Sequence, residues 1–233
     1  MYPNQQLSQF LDACCVQPDR FLATSEHAKW RLGAILFASR GSAFATVRKA
    51  PVEGADYEFA GLRTLPGGMA RGTHGDGSST AQELLARSLL DRVSREAGLQ
   101  CEMLSDLAPA PMGPLVTSYT AKERLRFTLV IPHTCTMAAQ AELRSDDRSV
   151  EAAEWQDIPP DWRRMAPANR VAVAHLVWST LSVSQRVDAE VPVDEGVRQC
   201  SEWAALIGLP GVPSPCAGPE ELERWRSAWP KSF

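Results

Sequence analysis

Apolar positions recur along this chain with more than one period. In NQQLSQFLDACC (4–15), Leu7, Phe10, Leu11 and Cys14 fall at i, i+3, i+4 and i+7, which predicts a short amphipathic helix. KWRLGAILFASRG (29–41) is a compact run of strand formers. SAFATVRKAP (42–51) follows the turn signal Arg40-Gly41-Ser42, so the pair predicts a hairpin. Beyond the loop-like PVEGADYEFAGLR and LPGG (65–68) comes ARGTHGDGSST (70–80), a loop rich in Gly, Ser and Thr. AQELLARSLLDRVSREAG then reads as one helix, with Leu85, Leu89, Val93 and Ala97 at four-residue spacing and Gly98 as its C-cap.

Further on, APAPMGP (108–114) is a connection broken by proline, and RLRFTLVIP (124–132) is a candidate central strand. SVEAAEWQDI (149–158) reads as a short strand, and APANRVAVAHLVWSTL (166–181) as a helix with Pro167 near its start. Past residue 182 the pattern turns helical, in VPVDEGVRQCSEWAALIGL and again in PEELERWRSAW, where Leu222, Trp225 and Trp229 share a side. The organisation expected is an N-terminal helical segment (1–27), a mixed α/β domain (28–181) and a C-terminal helical extension (182–233).

With 233 residues, 44% hydrophobic and 22% charged, the chain can bury a full core. A net charge of -4 gives no general reason to expect nucleic acid or an anionic membrane as partner. No apolar run approaches the ~20 residues of a membrane span, and the N-terminus lacks the pattern of a secretory signal. Six cysteines form no CxxC pair, so reduced thiols in a cytoplasmic protein are expected.

LPGG before a helix that ends in REAGL resembles the Nudix superfamily, whose box is G-x5-E-x7-R-E-U-x-E-E-x-G-U. Counting back from Gly98 and Leu99, Glu96 matches the second Glu of the EE pair, Val93 an aliphatic position, Glu83 the upstream Glu and Gly77 the opening Gly. The hairpin, GLRTLPGG and EAAEWQDIPP also resemble the family's other elements. The resemblance implies a Nudix-like α/β/α sandwich with a mixed sheet, and magnesium or manganese held by carboxylates of the box helix. It makes Glu96 the metal ligand and Glu96 and Glu83 the catalytic candidates; the ligand-binding candidates are Gly67 and Gly68, which allow close backbone approach, and Arg92 and Arg95, whose guanidinium groups can meet an anion directly.

The chain departs from the pattern where chemistry would reside. Asp91-Arg92 replaces Arg-Glu and Arg95 replaces the first Glu of the EE pair, so two of three expected carboxylates are arginine. Asp91 and Glu96 point about 140° apart on a helix, so the acids do not converge. Three readings stay open. One is a metal-dependent hydrolase of a nucleoside-diphosphate-linked or related pyrophosphate. Another is a non-hydrolytic protein that binds a small, phosphate-containing anion or a protein partner without a cofactor, the arginines offering bidentate donors. The third is a metal-independent enzyme. A homodimer is an option for any of them.

The alternatives are structural. Glu83, Arg87, Asp91 and Arg95 form an i, i+4 ladder of alternating sign, as do Arg92 and Glu96, which a solvated helix face explains. His74 lies in the glycine-rich loop, His133 and Cys135 share a strand face, and His175 sits inside an apolar helix. Glu151 and Glu154 read as a solvated strand edge. Trp203, Trp225 and Trp229 are expected to dock on their own domain or at a dimer interface.

Overall fold

The computed structural model describes residues 30–51, 59–70, 81–104, 106–121, 124–206 and 209–227. The helix expected at 4–15, the glycine-rich loop with His74 and Gly77, and Trp229 lie outside them.

The predicted hairpin forms as β1 (Trp30–Arg40) and β2 (Ala43–Lys49), registered by Ser39 opposite Phe44 and Arg40 opposite Ala43. β1 is apolar on both faces because it lies inside the sheet. Leu32 to Ala38 are buried throughout. On its far side β1 runs parallel to β7 (Arg124–Thr136), from Trp30 opposite Phe127 to Ser39 opposite Thr136. This parallel pairing makes the sheet mixed, since the other pairs between the described strands are antiparallel.

β3 (Arg63–Thr64) and β8 (Val150–Asp157) both pair with β2. β4 (Gly67–Met69) pairs with β1, while β5 (Ala108–Pro109) and β6 (Leu115–Ala121) pair with β7. β6 is a strand the hydrophobic pattern did not announce, because it starts directly after the proline-broken connection. β7 also runs four residues past Pro132, where the sequence reading stopped. Pro132 gives the ladder no N–H, but its carbonyl accepts from Ala110 N–H at 2.8 Å.

Helix α1 (Ala81–Ala97) packs on β1, β2 and β4 through the predicted stripe of Leu85, Leu89, Val93 and Ala97, all buried. Gly98 ends it at φ +71°, a left-handed cap that leaves room for the Arg144 backbone. α2 (Pro167–Val177) starts with its proline in the first turn, and it and α3 (Val183–Leu206) pack together and against β6. α3 starts eight residues before the Val191 at which the sequence reading opened it, and takes Pro192 into its interior. Pro192 keeps a use there: its carbonyl accepts from the buried Arg170 at 2.6 Å. α4 (Pro219–Ser227) sets Trp225 into the core beside Gly113, and Trp203 packs on the same core half-buried. No helix among the described residues is long and apolar enough to cross a membrane.

Candidate functional site

The candidate site lies where the C-terminal end of α1 meets β2, the LPGG turn and the loop 138–149. Glu96 is in the last turn of α1, in phase with the stripe that faces the sheet, and is only 1% exposed. Its two carboxylate oxygens are each engaged. Oε1 accepts from Lys49 Nζ at 2.7 Å and Oε2 accepts from Gly67 N–H at 3.1 Å. Lys49 is itself buried because position 49 of β2 shares a face with Ala45 and Val47. Gly67, at φ +143°, lies so close to β1 that an added Cβ would run into the carbonyl of Ala34.

The two arginines expected at the ligand positions turn to the loop. Arg92 Nη1 reaches Asp147 Oδ2 at 3.3 Å and lies 3.7 Å from Glu96 Oε1. Arg95 Nη1 donates to the same Asp147 oxygen at 3.0 Å, and its Nη2 donates to Asp91 at 2.7 Å. That bond to Asp91, chiefly, holds the Arg95 guanidinium above its ordinary range. Burial pushes the Asp147 carboxyl up, but bonds from the Ser149 hydroxyl and amide, together with Arg92 and Arg95, outweigh it and hold it below the usual carboxylate range. Loop backbone completes the joint, since Arg144 N–H bonds Ala97 O and Asp146 N–H bonds Arg95 O. These donors satisfy carbonyls that every helix C-terminus leaves open.

The predicted site residues therefore divide. Glu96, Gly67, Arg92 and Arg95 come together, and Gly68 lies against Arg92, whose Nε would be 3.3 Å from an added Cβ. Glu83 does not join them. It is exposed in the first turn of α1, and thirteen residues at 1.5 Å rise put it about 20 Å away along the axis. The i, i+4 pair of Asp91 and Arg95 is present, whereas Arg92 spends its closer contact on Asp147. Lys49 and Asp147 join these residues in the structure, and nothing in the sequence alone pointed to them.

Other candidates find structural partners. Glu151 pairs with Arg48 at 3.0 Å and Glu154 with Arg63 at 2.9 Å, so the strand edge is paired across strands as well as solvated. His133 Nδ1 lies 3.1 Å from the carbonyl of Ile131, while Cys135 Sγ contacts Met137 Sδ. Burial pushes the Cys135 thiol up to about 12, which leaves no thiolate for nucleophilic work at neutral pH. His175 donates from Nε2 to the carbonyl of Pro213 at 3.1 Å, as a packed histidine does.

A divalent cation does not fit this donor set. Among the described residues no three His, Cys, Asp or Glu side chains are grouped to hold a metal ion. The carboxylate best placed for one already has an ammonium on one oxygen and an amide on the other.

No family model matches the sequence, and no curated protein matches it. Solved structures similar to it include a MutT Nudix hydrolase from Burkholderia pseudomallei, 18% identical, covering 62% of this chain and 95% of that one, with a TM-score of 0.39. A second is the Nudix domain of Shewanella oneidensis NrtR in complex with ADP-ribose, 15% identical, covering 55% and 72%, with a TM-score of 0.40. A third is the E. coli dihydroneopterin triphosphate pyrophosphohydrolase, 10% identical, covering 65% and 96%, with a TM-score of 0.46. Each is a structure this chain is similar to; the described fold itself is a mixed sheet with α1 on one side and α2 and α3 packed against β6. Identities this low carry nothing over about activity.

Proposed function

We propose that the chain is a non-hydrolytic, Nudix-like protein that binds a small phosphate-containing anion through fixed side-chain cations. The observation that carries this reading is the condition of Glu96, whose oxygens are committed to Lys49 and Gly67. A carboxylate held in that way is a counter-ion. Metal-assisted hydrolysis asks for a hard cation on several oxygen ligands and an activated water. Two of the three helix positions that the resemblance assigns to that task present guanidinium groups instead.

Arg92 is the residue that would receive the anion. Its Nη1 is held by Asp147, and its Nε is buried with no hydrogen-bond partner among the described residues. Guanidinium carries five donors in one plane, matched to phosphate oxygens. A phosphate reaching Arg92 must displace Asp147 from Nη1, so binding is expected to open the contact between α1 and the loop 138–149.

The test pairs turnover with binding. Diphosphate-linked nucleotides and sugars are incubated with magnesium or manganese and either wild type or Glu96→Gln. The same ligands are added in EDTA while melting is followed. The expected result is no turnover by either protein, with at least one phosphate-containing ligand raising the melting temperature in EDTA and Arg92→Ala abolishing that rise. Ligand at a hundredfold excess over Kd would stabilise by about 2.7 kcal/mol. Metal-dependent turnover that Glu96→Gln abolishes would overturn the reading and make the chain a hydrolase.

A further inference from the structure

We infer that the ammonium of Lys49 is the resident cation of the α1 site, covalently attached where a divalent ion would otherwise be recruited. This deepens the reading above at the same site, and a different measurement tests it.

Three observations converge on Lys49. Glu96 is buried at 1% exposure, and a buried carboxylate stays ionised only with a counter-charge and hydrogen bonds. Lys49 supplies the charge at 2.7 Å from a side chain that is itself only 11% exposed, and Gly67 N–H supplies the second bond. Among the described residues the ions of this cluster balance. Lys49, Arg92 and Arg95 give three positive charges, and Asp91, Glu96 and Asp147 give three negative ones, linked by contacts of 2.7 to 3.7 Å. Among the described residues, a divalent ion entering this cluster would bring two charges beside three cations whose carboxylate partners are each already paired, and Coulomb repulsion at the buried Glu96 opposes that.

The arrangement also gives Lys49 a positioning task. Through Glu96 it joins the end of β2 to the last turn of α1 and to the glycine turn, three elements that the sequence holds far apart. A bound metal would perform the same joining only when present, whereas the lysine performs it permanently. Chelators therefore have nothing to remove from the site.

Melting curves test this directly. Wild type is expected to melt within about 1 °C of the same temperature in EDTA, millimolar magnesium and millimolar manganese. Lys49→Met keeps most of the side-chain volume and removes the charge; it is expected to melt on the order of 10 °C lower, as breaking a buried ion pair does. Lys49→Ala should fall at least as far, and propylammonium, the group this truncation removes, should restore part of the loss where manganese does not. Three results would overturn the inference: Lys49→Met melting like wild type, manganese rescuing Lys49→Ala as well as the amine does, or manganese stabilising wild type in a manner that Glu96→Gln abolishes.

Discussion

Two adjacent glycines of the LPGG turn carry unequal demands. Gly67 has φ +143°, and an added Cβ would meet the carbonyl of Ala34 and come within 2.8 Å of Ile35 Cα, both rigid backbone. Gly68 has an ordinary φ, and its nearest neighbour is the Arg92 side chain at 3.3 Å, which can move aside. Gly67→Ala is therefore expected to cost roughly 3 kcal/mol or more in urea unfolding, since it adds left-handed strain to a backbone clash and displaces the N–H that Glu96 accepts. Gly68→Ala is expected to cost under about 1 kcal/mol. Equal losses in the two variants would mean that the turn is not held by Gly67 in the way described. The same residue scale explains why Lys49 was hidden. A lysine closing a strand is ordinarily an exposed end, and only its phase with Ala45 and Val47 signals that it points inward.

Helix α1 was legible as an element because its signal is local. Leu85, Leu89, Val93 and Ala97 repeat with the helical period, and Gly98 stops it. The hairpin of β1 and β2 was legible for a similar reason, from a turn between two apolar runs. What joins α1 to the rest was not legible, because its partners are remote: Asp147 is 52 residues from Arg95 and Lys49 is 47 from Glu96. Nothing within RSDDRS (144–149) itself points to α1. That joint has a measurable strength. Asp147 takes two guanidinium groups while Ser149 braces its other oxygen, and the loop amides of Arg144 and Asp146 cap the helix. Asp147→Ala is expected to destabilise by about 2 kcal/mol, discounted for the half-exposed Arg95. Hydrogen exchange would localise the effect: the Arg144 and Asp146 amides should lose protection while those of β1 keep theirs. Unchanged protection at 144 and 146 would assign the joint to the backbone caps alone.

Across the whole molecule, the α1 side of the sheet carries an ion cluster, while α2 buries Arg170 against the carbonyls of Met165 and Pro192, and β7 and α2 each hold a histidine, buried in β7 and half-buried in α2. His133 on β7 and His175 on α2 are both held below the ordinary histidine range, by burial first, with a carbonyl contact opposing it in each case. The sequence placed His175 correctly in an apolar helix, but not the carbonyl of Pro213 that it bonds, which comes from the chain beyond α3. Depressed values in the folded state mean that the unfolded chain takes up protons first, at its ordinary pKa of about 6.5. Below that pH the unfolded state binds more protons than the folded one, so stability falls with falling pH. This contribution is complete well above pH 6.5 and erodes as the pH falls below it. Melting temperatures recorded across that window should decline, and His175→Gln, whose amide can still donate to the Pro213 carbonyl but does not titrate, should decline less steeply. An unchanged slope in that variant would move the acid sensitivity to His133 or to the carboxylates of the α1 joint. The double variant His133→Gln, His175→Gln then separates the two, because only the carboxylate contribution survives in it, and Asp147, depressed by its own partners, loses that contribution at a lower pH than the histidines do.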